Sequence, residues 1–280
     1  MTIEFGIQLP IQAQSTVFVE EWEATASAAE LAAVAQSCDR AGFAYVAVCD
    51  HVAIPRSRAD AMSTTWYDTI ATLGWLAGIT EHVRLLSHVY VAAYRHPLQT
   101  AKAFATLDAL SNGRAILGVG AGHVEEEFDV LGVSFHERGR LLDESIDAVR
   151  RALRDEWAAG DLGQRPRPVQ DGGVPIWVGG SSPAAIKRAA LRGDGWLPQG
   201  PPADGMPAAI ERISRLRADA GRTGPFTVGA FAMPGPPEKV AGALGKLEAM
   251  GVDQVQVRFP STSCADLCSK IEQFGDLARK

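Results

Sequence analysis

Two stretches of the chain place imidazole groups directly behind runs of apolar residues. The pair Asp50-His51 follows the apolar segment 45–49, and His123 follows the glycine-rich end of a segment that begins at Arg114. An imidazole with an ordinary pKa of about 6.5 can give or take a proton at neutral pH, and a neighbouring carboxylate, here Asp50, would orient the ring. We therefore predict that His51 and His123 are catalytic. The alternatives are that Asp50 only caps a strand end and that His123 only fills a loop.

Three alternating glycines, Gly118, Gly120 and Gly122, precede His123. Glycine lets a backbone approach a bound ring or phosphate where a Cβ atom would clash, and it tolerates positive φ angles. We predict that these glycines bind a cofactor, with a tight strand-to-helix turn as the structural alternative. The dinucleotide fingerprint fits poorly, because it needs a third glycine where His123 stands.

A second small-residue turn reads Gly179-Gly180-Ser181-Ser182 and is followed by a proline. Proline at the first position of a helix leaves backbone N–H groups free at the helix start, and the helix dipole favours an anion there. The turn is therefore predicted to bind a phosphate.

Composition limits the classes of function. The chain has 280 residues, a formal charge of −6 and no basic stripe, which argues against a nucleic acid or an anionic membrane as partner and favours a small-molecule substrate. The first ten residues lack a charged leader with an apolar stretch behind it, so we expect a cytoplasmic protein. The four cysteines form no CxxC pair, and no metal site is predicted.

Strand-like and helix-like segments alternate along the chain. The predicted strands cover residues 3–9, 45–49, 83–89, 114–119, 175–178, 195–197, 226–230 and 254–258. Helices are predicted at 23–41, 68–79, 98–110, 137–158, 183–192, 205–220, 237–250 and 265–278. Eight such repeats predict an α/β protein with one (β/α)8 TIM barrel domain spanning residues 1–280, whose active site lies at the carboxyl ends of the strands.

Several element boundaries have local sequence signatures. The stretch from Ser134 to Glu137 has the pattern of a capping box, Asn112-Gly113 predicts a turn before the fourth strand, and Gly42 and Gly251 are predicted to end helices. Other polar and aromatic residues lie near the carboxyl ends of the predicted strands, which form the mouth of the barrel. Arg95 and His96 before Pro97 are interpreted as a helix start, and Arg258 as either a contact for an anionic substrate or a surface residue. Trp66 either covers a bound ring or packs locally.

Five motifs occur in an order that resembles the luciferase-like monooxygenase superfamily, and more closely its branch of oxidoreductases that use the deazaflavin coenzyme F420. They are the segments AGFAYVAVCDH (41–51), YRHPL (94–98), LDALSNGRAILGVG (107–120), EFDVLGV (127–133), and PIWVGGS (175–181) followed by GDGWLP (193–198). The resemblance covers residues 5–198 well and the remainder loosely.

This resemblance implies a cofactor site. It places Asp50 and His51 beside the ring of the cofactor, a cis peptide bond between His88 and Val89 behind the ring, and the phosphate on the turn 179–182. The chain also departs from the family. The segment 154–174 is shorter than in relatives, His88 replaces a small residue, and His123 stands where many close relatives have Trp and some sugar-phosphate dehydrogenases have Glu.

The sequence thus predicts an F420-dependent oxidoreductase that transfers a hydride between the deazaflavin and a small organic substrate. The alternatives are an FMN-dependent monooxygenase and a barrel that binds a flavin or deazaflavin without catalysis. A metal-dependent hydrolase would need clustered His and carboxylate ligands, commonly a His-x-His pair on an early strand, and the sequence has none. Because family members often dimerise, the resemblance also implies a homodimer.

Overall fold

A closed barrel of parallel strands forms the centre of the computed structural model, which describes residues 3–16 and 19–279. Neighbouring strands pair in parallel around the ring, and the pairing of β3 with β5 closes it. Both β3 and the short strand β4 that follows it pair with β5. They therefore count as one strand of the barrel, which has eight strands although nine segments are named. The strands are β1 (Glu4–Gln8), β2 (Tyr45–Val48), β3 (Arg84–Ser87), β4 (Tyr90–Val91), β5 (Ala115–Gly120), β6 (Ile176–Gly179), β7 (Gly195–Leu197), β8 (Thr227–Phe231) and β9 (Gln254–Val257).

Helices surround the barrel and alternate with the strands, which confirms the predicted (β/α)8 architecture. Two short helices, α2 and α5, are additions in the loops that follow β2 and β5. The helices are α1 (Ala28–Arg40), α2 (Ala59–Met62), α3 (Thr69–Ala77), α4 (Pro97–Leu110), α5 (Glu125–Val130), α6 (Arg138–Arg154), α7 (Pro183–Arg192), α8 (Met206–Asp219), α9 (Pro237–Ala249) and α10 (Cys264–Ala278).

The larger hydrophobic core lies between the barrel wall and the helices. Alternate strand residues point outward, as the two-residue period of a strand requires. In β1 these residues are Phe5 and Ile7, both buried. The ring of Phe5 packs edge-on against Phe43 and Phe274, each at a centroid distance of 4.9 Å, and thereby joins β1 to α10. Edge-to-face aromatic pairs of this kind add about 0.5–1.5 kcal/mol beyond their buried area.

The inside of the barrel is filled by side chains and is not a channel. Tyr45 and Trp177 cross it edge to face at a centroid distance of 6.2 Å. Glycines on the neighbouring strands make room for them, since a Cβ atom at Gly6 would lie 2.5 Å from the Tyr45 ring and one at Gly195 would lie 2.6 Å from Trp177. This packed layer sets the floor beneath the carboxyl ends of the strands.

Most predicted boundaries agree with the structure within a few residues. The turn at Asn112 and the helix ends at Gly42 and Gly251 all have the positive φ angles that such positions require. The capping box predicted for residues 134–137 is wrong, because α6 begins at Arg138 and no side chain caps it. Instead, the Glu137 carboxylate accepts hydrogen bonds from Arg140 within the first helical turn.

The third strand is also shorter than predicted. The continuous strand expected over 83–89 is interrupted after Ser87 by a cis peptide bond between His88 and Val89, and pairing resumes only at Tyr90. The implied cis bond is thus present. The short helix α5, which begins two residues after His123, was not predicted as a separate element.

Candidate active site

At the carboxyl end of β2, Asp50 is buried in a network of hydrogen bonds. Its carboxylate accepts two bonds from the guanidinium of Arg95, at 2.5 and 2.8 Å, and one from the backbone N–H of Val91 at 2.8 Å. The hydroxyl of Thr69 donates another at 3.2 Å. The expectation that Asp50 orients His51 is therefore wrong, because both carboxylate oxygens are bonded to other residues. Arg95 is more than part of a helix start, since it neutralises this buried charge.

The carboxylate that does hold His51 belongs to Glu127 in α5. Its Oε2 lies 2.7 Å from Nδ1 of His51 and accepts a second hydrogen bond, of 3.2 Å, from the hydroxyl of Tyr94. Its Oε1 accepts from the backbone N–H groups of Val52 and Ala53 at 2.6 and 3.1 Å. Burial would raise the pKa of Glu127, but the bonds from His51, Val52 and Ala53 outweigh it, so the pKa is below its ordinary value. The side chain is fully buried and ionised at neutral pH.

The His51 ring lies between two other aromatic rings at the mouth of the barrel. Its centroid is 4.4 Å from that of Trp66 and 5.4 Å from that of His123, and both neighbours meet it edge to face. His51 keeps 11% of its side chain exposed, whereas His123 is an exposed residue. Partial burial, followed by the charges of His51 and Arg58, lowers the pKa of His123. The two histidines predicted to be catalytic therefore lie side by side.

The predicted cofactor-binding glycines surround the cis peptide bond. A Cβ atom at Gly120 would collide with Val89, and one at Gly179 would lie 2.7 Å from the same side chain. At Gly118 it would strike the Ser87 carbonyl oxygen. The space beside Gly120 and Gly179 is thus filled by the Val89 side chain, and the space beside Gly118 is filled by the Ser87 carbonyl. Gly122 has a φ angle of 77°, the left-handed conformation for which glycine is suited.

His88 lies deep in the mouth with only 5% of its surface exposed. Burial lowers its pKa to about 4, so the imidazole is neutral at physiological pH. The side-chain amide nitrogen of Gln199 lies within hydrogen-bond distance of Nε2, at 3.2 Å. The ring stacks on Phe231 at 5.7 Å with an interplanar angle of 20°.

The turn 179–182 leads directly into α7. Gly180 has a φ angle of 113°, a conformation that an L side chain rarely adopts. The hydroxyl of Ser182 caps the helix by accepting a bond of 3.2 Å from the N–H of Ala185. Ser181 donates to the Gly200 carbonyl and accepts from the N–H of Gln199, which ties the turn to the loop after β7. Ser182 and Ala184 are exposed at the helix start, where an anion can approach.

The structure brings most of the predicted site residues to one end of the barrel and adds residues that the sequence analysis did not assign. Glu127, Tyr94 and Gln199 contact predicted residues through side-chain hydrogen bonds. Glu127 opens the quoted motif 127–133, which was the only sequence indication of its importance. Within residues 3–16 and 19–279 no three His, Cys, Asp or Glu side chains are grouped to hold a metal ion. The four cysteines are free thiols. None of the helices formed by those residues has the length and apolar character needed to cross a membrane.

Comparison with known proteins identifies the family. Residues 3–249 match the family model of luciferase-like monooxygenases. An uncharacterized protein of Mycobacterium tuberculosis strain H37Rv is 30% identical over 244 residues, which cover 81% of this chain and 83% of the relative. An F420-dependent glucose-6-phosphate dehydrogenase of Amycolatopsis mediterranei is 34% identical over 140 residues, covering 45% of this chain and 41% of the relative.

The barrel also matches solved structures. The crystal structure of the monooxygenase RslO1 from Streptomyces bottropensis superposes with a TM-score of 0.79 at 19% identity, over 98% of both chains. Other solved structures with this fold include one in complex with FMN. The motifs, the closed barrel and the match over most of its length together show that this chain belongs to the luciferase-like monooxygenase family.

Proposed function

We propose that this protein is an F420-dependent oxidoreductase that transfers a hydride between the deazaflavin and a small organic substrate. The observation that carries the proposal is the pairing of His51 with the buried carboxylate of Glu127 at the barrel mouth, at 2.7 Å. A fixed imidazole at this position can give or take the proton that accompanies hydride transfer. The choice of F420 is supported by the sequence likeness to the dehydrogenase from Amycolatopsis mediterranei.

The residues at the mouth fit such a cofactor. The exposed start of α7 at Ser182 and Ala184 suits a phosphate, because a helix start offers N–H donors and a positive dipole end. The proposal assigns the phosphate to residues 179–182. It places the ring against His88 and Val89, and Gly118 and Gly120 contribute indirectly, because the room they leave admits Ser87 and Val89. In this proposal Asp50 does not contact the cofactor directly. Its ion pair with Arg95 holds the end of β2 in place.

When bound, the cofactor would accept or donate the hydride, and the protein would exchange the proton and hold the substrate. His51 handles the substrate proton at Nε2, since Nδ1 is bonded to Glu127. His123, exposed and beside His51, is assigned to contact with the substrate. Trp66 packs against the His51 ring and Phe231 against the His88 ring, so both aromatic residues border the proposed site.

An FMN-dependent monooxygenase is the second proposal, and it is favoured by the FMN complex among the proteins with this fold. The two proposals predict different relative affinities for F420 and FMN. Calorimetric titration of the cofactor-free protein with F420 and with FMN should show tighter binding of F420. Riboflavin, which lacks the phosphate, serves as the control for binding of the ring alone. Equal or tighter binding of FMN would replace the deazaflavin proposal with the monooxygenase.

A further inference from the structure

The carboxylate of Glu127 divides its hydrogen bonds between its two oxygens. Oε1 receives the backbone N–H groups of Val52 and Ala53, whereas Oε2 receives Nδ1 of His51 and the hydroxyl of Tyr94. The side chain has no exposed surface. The group therefore has a fixed orientation, in which one oxygen belongs to the loop after β2 and the other to the imidazole.

This division determines which nitrogen of His51 carries a proton. An ionised carboxylate only accepts hydrogen bonds, so Nδ1 of His51 must be a donor. In the neutral imidazole the proton then lies on Nδ1, and Nε2 keeps its lone pair. A carboxylate that orients a catalytic imidazole in this manner also stabilises the ring when it becomes charged.

We propose that Glu127 is the positioning residue of this site, which holds His51 in the Nδ1-protonated tautomer so that Nε2 exchanges the proton with the substrate. The inference rests on the proposed role of His51 and extends it, because it specifies the reacting atom and the group that selects it. When the substrate is reduced, the ring starts as the imidazolium with a proton on both nitrogens, gives its Nε2 proton to the substrate oxygen as the substrate carbon gains the hydride, and is left as the neutral Nδ1–H tautomer. When the substrate is oxidised, the same nitrogen takes the proton. Glu127 stays ionised in both directions.

The substitution Glu127→Gln tests this assignment because it should reverse the tautomer. In the variant the two N–H groups of Val52 and Ala53 require the amide oxygen at the position of Oε1. The amide NH₂ then faces His51, and two donors cannot share one hydrogen bond. Nδ1 must become an acceptor, which moves the proton to Nε2. The tautomer shows whether Glu127 selects the protonated nitrogen, and the effect on kcat against KM then separates a positioning role from a merely structural tie.

The tautomer is measured by nitrogen-15 NMR of histidine-labelled, cofactor-free protein at about pH 8.5, where an ordinary imidazole is neutral. In the unmodified protein, Nδ1 of His51 should give the shift of a protonated nitrogen, and in Glu127→Gln that shift should move to Nε2. The matched control is Glu126→Gln, a neighbouring exposed carboxylate that pairs with Arg58. Tyr94→Phe removes the weaker bond to the same oxygen. Neither control should change the tautomer.

A protonated Nε2 in the unmodified protein, or an unchanged tautomer in a folded Glu127→Gln variant, would overturn the proposal. The measurement needs no cofactor, so it stands or falls separately from the choice between F420 and FMN. With the loaded enzyme, Glu127→Gln should lower kcat by roughly a hundredfold or more while KM and the cofactor Kd stay close to their original values. A rise in KM with kcat intact would assign Glu127 to substrate binding and contradict its positioning role.

Discussion

Asp50 and Arg95 form a buried, two-pronged ion pair at the carboxyl end of β2, with nitrogen–oxygen distances of 2.5 and 2.8 Å. Asp50 is 4% exposed. Burial would lower the pKa of Arg95, but the bonds to Asp50 outweigh burial and raise it. Because the carboxylate also accepts from the N–H of Val91, the pair joins the end of β2 to the resumed strand β4. It therefore fixes the backbone from which His51 projects.

Replacing Arg95 with Met should strongly destabilise the protein. The substitution keeps much of the apolar stem but leaves the Asp50 carboxylate buried without its cation. Breaking a buried ion pair on one side typically costs about 3–5 kcal/mol. The free energy of unfolding, measured by urea titration at neutral pH, should fall by this amount.

The double substitution of Arg95→Met with Asp50→Asn is the control, because it removes the stranded charge as well. It should recover a large part of the lost stability, and a double-mutant cycle should give a coupling well above 1 kcal/mol. Additive effects of the two single substitutions would show that the pair does not act as a unit.

The barrel could be predicted from the sequence because its signals are local. Alternating apolar runs and helical periods marked all eight repeats, and Gly42 and Gly251 marked helix ends by the conformation that they alone tolerate easily. The capping box at 134–137 failed because α6 begins only at Arg138, which makes Glu137 the residue before the helix instead of the third residue in it. A local pattern of polar residues indicates that a helix start is near but does not fix its position to within a few residues.

The partners of the site residues could not be predicted for a different reason. His51 is bonded to a carboxylate 76 positions away, and Asp50 to a guanidinium 45 positions away. The sequence places Asp50 and His51 side by side and therefore suggests that they pair with each other. Only the closure of the barrel brings α5 and the start of α4 to the end of β2 and separates the two side chains.

His88 should make the protein less stable in acid. Burial lowers its pKa from 6.5 to about 4 in the folded state. Between these two pH values the unfolded chain binds a proton that the folded chain excludes, so stability falls as the pH decreases through this window. The shift corresponds to about 3 kcal/mol between pH 7 and pH 4. In His88→Gln, which cannot titrate, the loss of unfolding free energy across the same range should be smaller by about that amount.

The control for His88 is His136→Gln, because the His136 side chain is 88% exposed. This variant should show the same pH dependence as the unmodified protein in urea titrations. If His88→Gln also follows the unmodified curve, then the pKa of His88 is the same in the folded and unfolded chains, and its environment is more polar than its burial indicates.

The start of α7 can be tested as the phosphate site without disturbing the fold. A side chain at Gly180 is unsuitable for this purpose, because the φ angle of 113° would strain it. Ala184 is exposed in the first turn, where an acidic residue favours the helix but repels a phosphate. Ala184→Glu should weaken binding of F420 and FMN at least roughly tenfold, whereas Ala184→Gln, of the same shape, should change it little.

Riboflavin distinguishes a local effect from general damage in this experiment, because it carries no phosphate. Its affinity should be the same for Ala184→Glu and Ala184→Gln. If the Glu variant keeps full affinity for F420 and FMN, the phosphate binds elsewhere on the barrel, and the assignment of residues 179–182 is wrong.

His51 itself should be required for turnover and dispensable for cofactor binding. His51→Ala removes the group that exchanges the proton, and the loss should be roughly a hundredfold or more in kcat. His51→Gln keeps a hydrogen-bonding side chain of similar length that can still reach Glu127, but it cannot exchange a proton near neutral pH. It should therefore be as inactive as His51→Ala, with a cofactor Kd close to that of the unmodified protein. His123→Gln, one ring away, should retain more activity, because His123 has no buried carboxylate to hold it. If His51→Gln turns over at a near-native rate while His123→Gln does not, the proton passes through His123, and the carboxylate of Glu127 holds an imidazole that only makes hydrogen bonds.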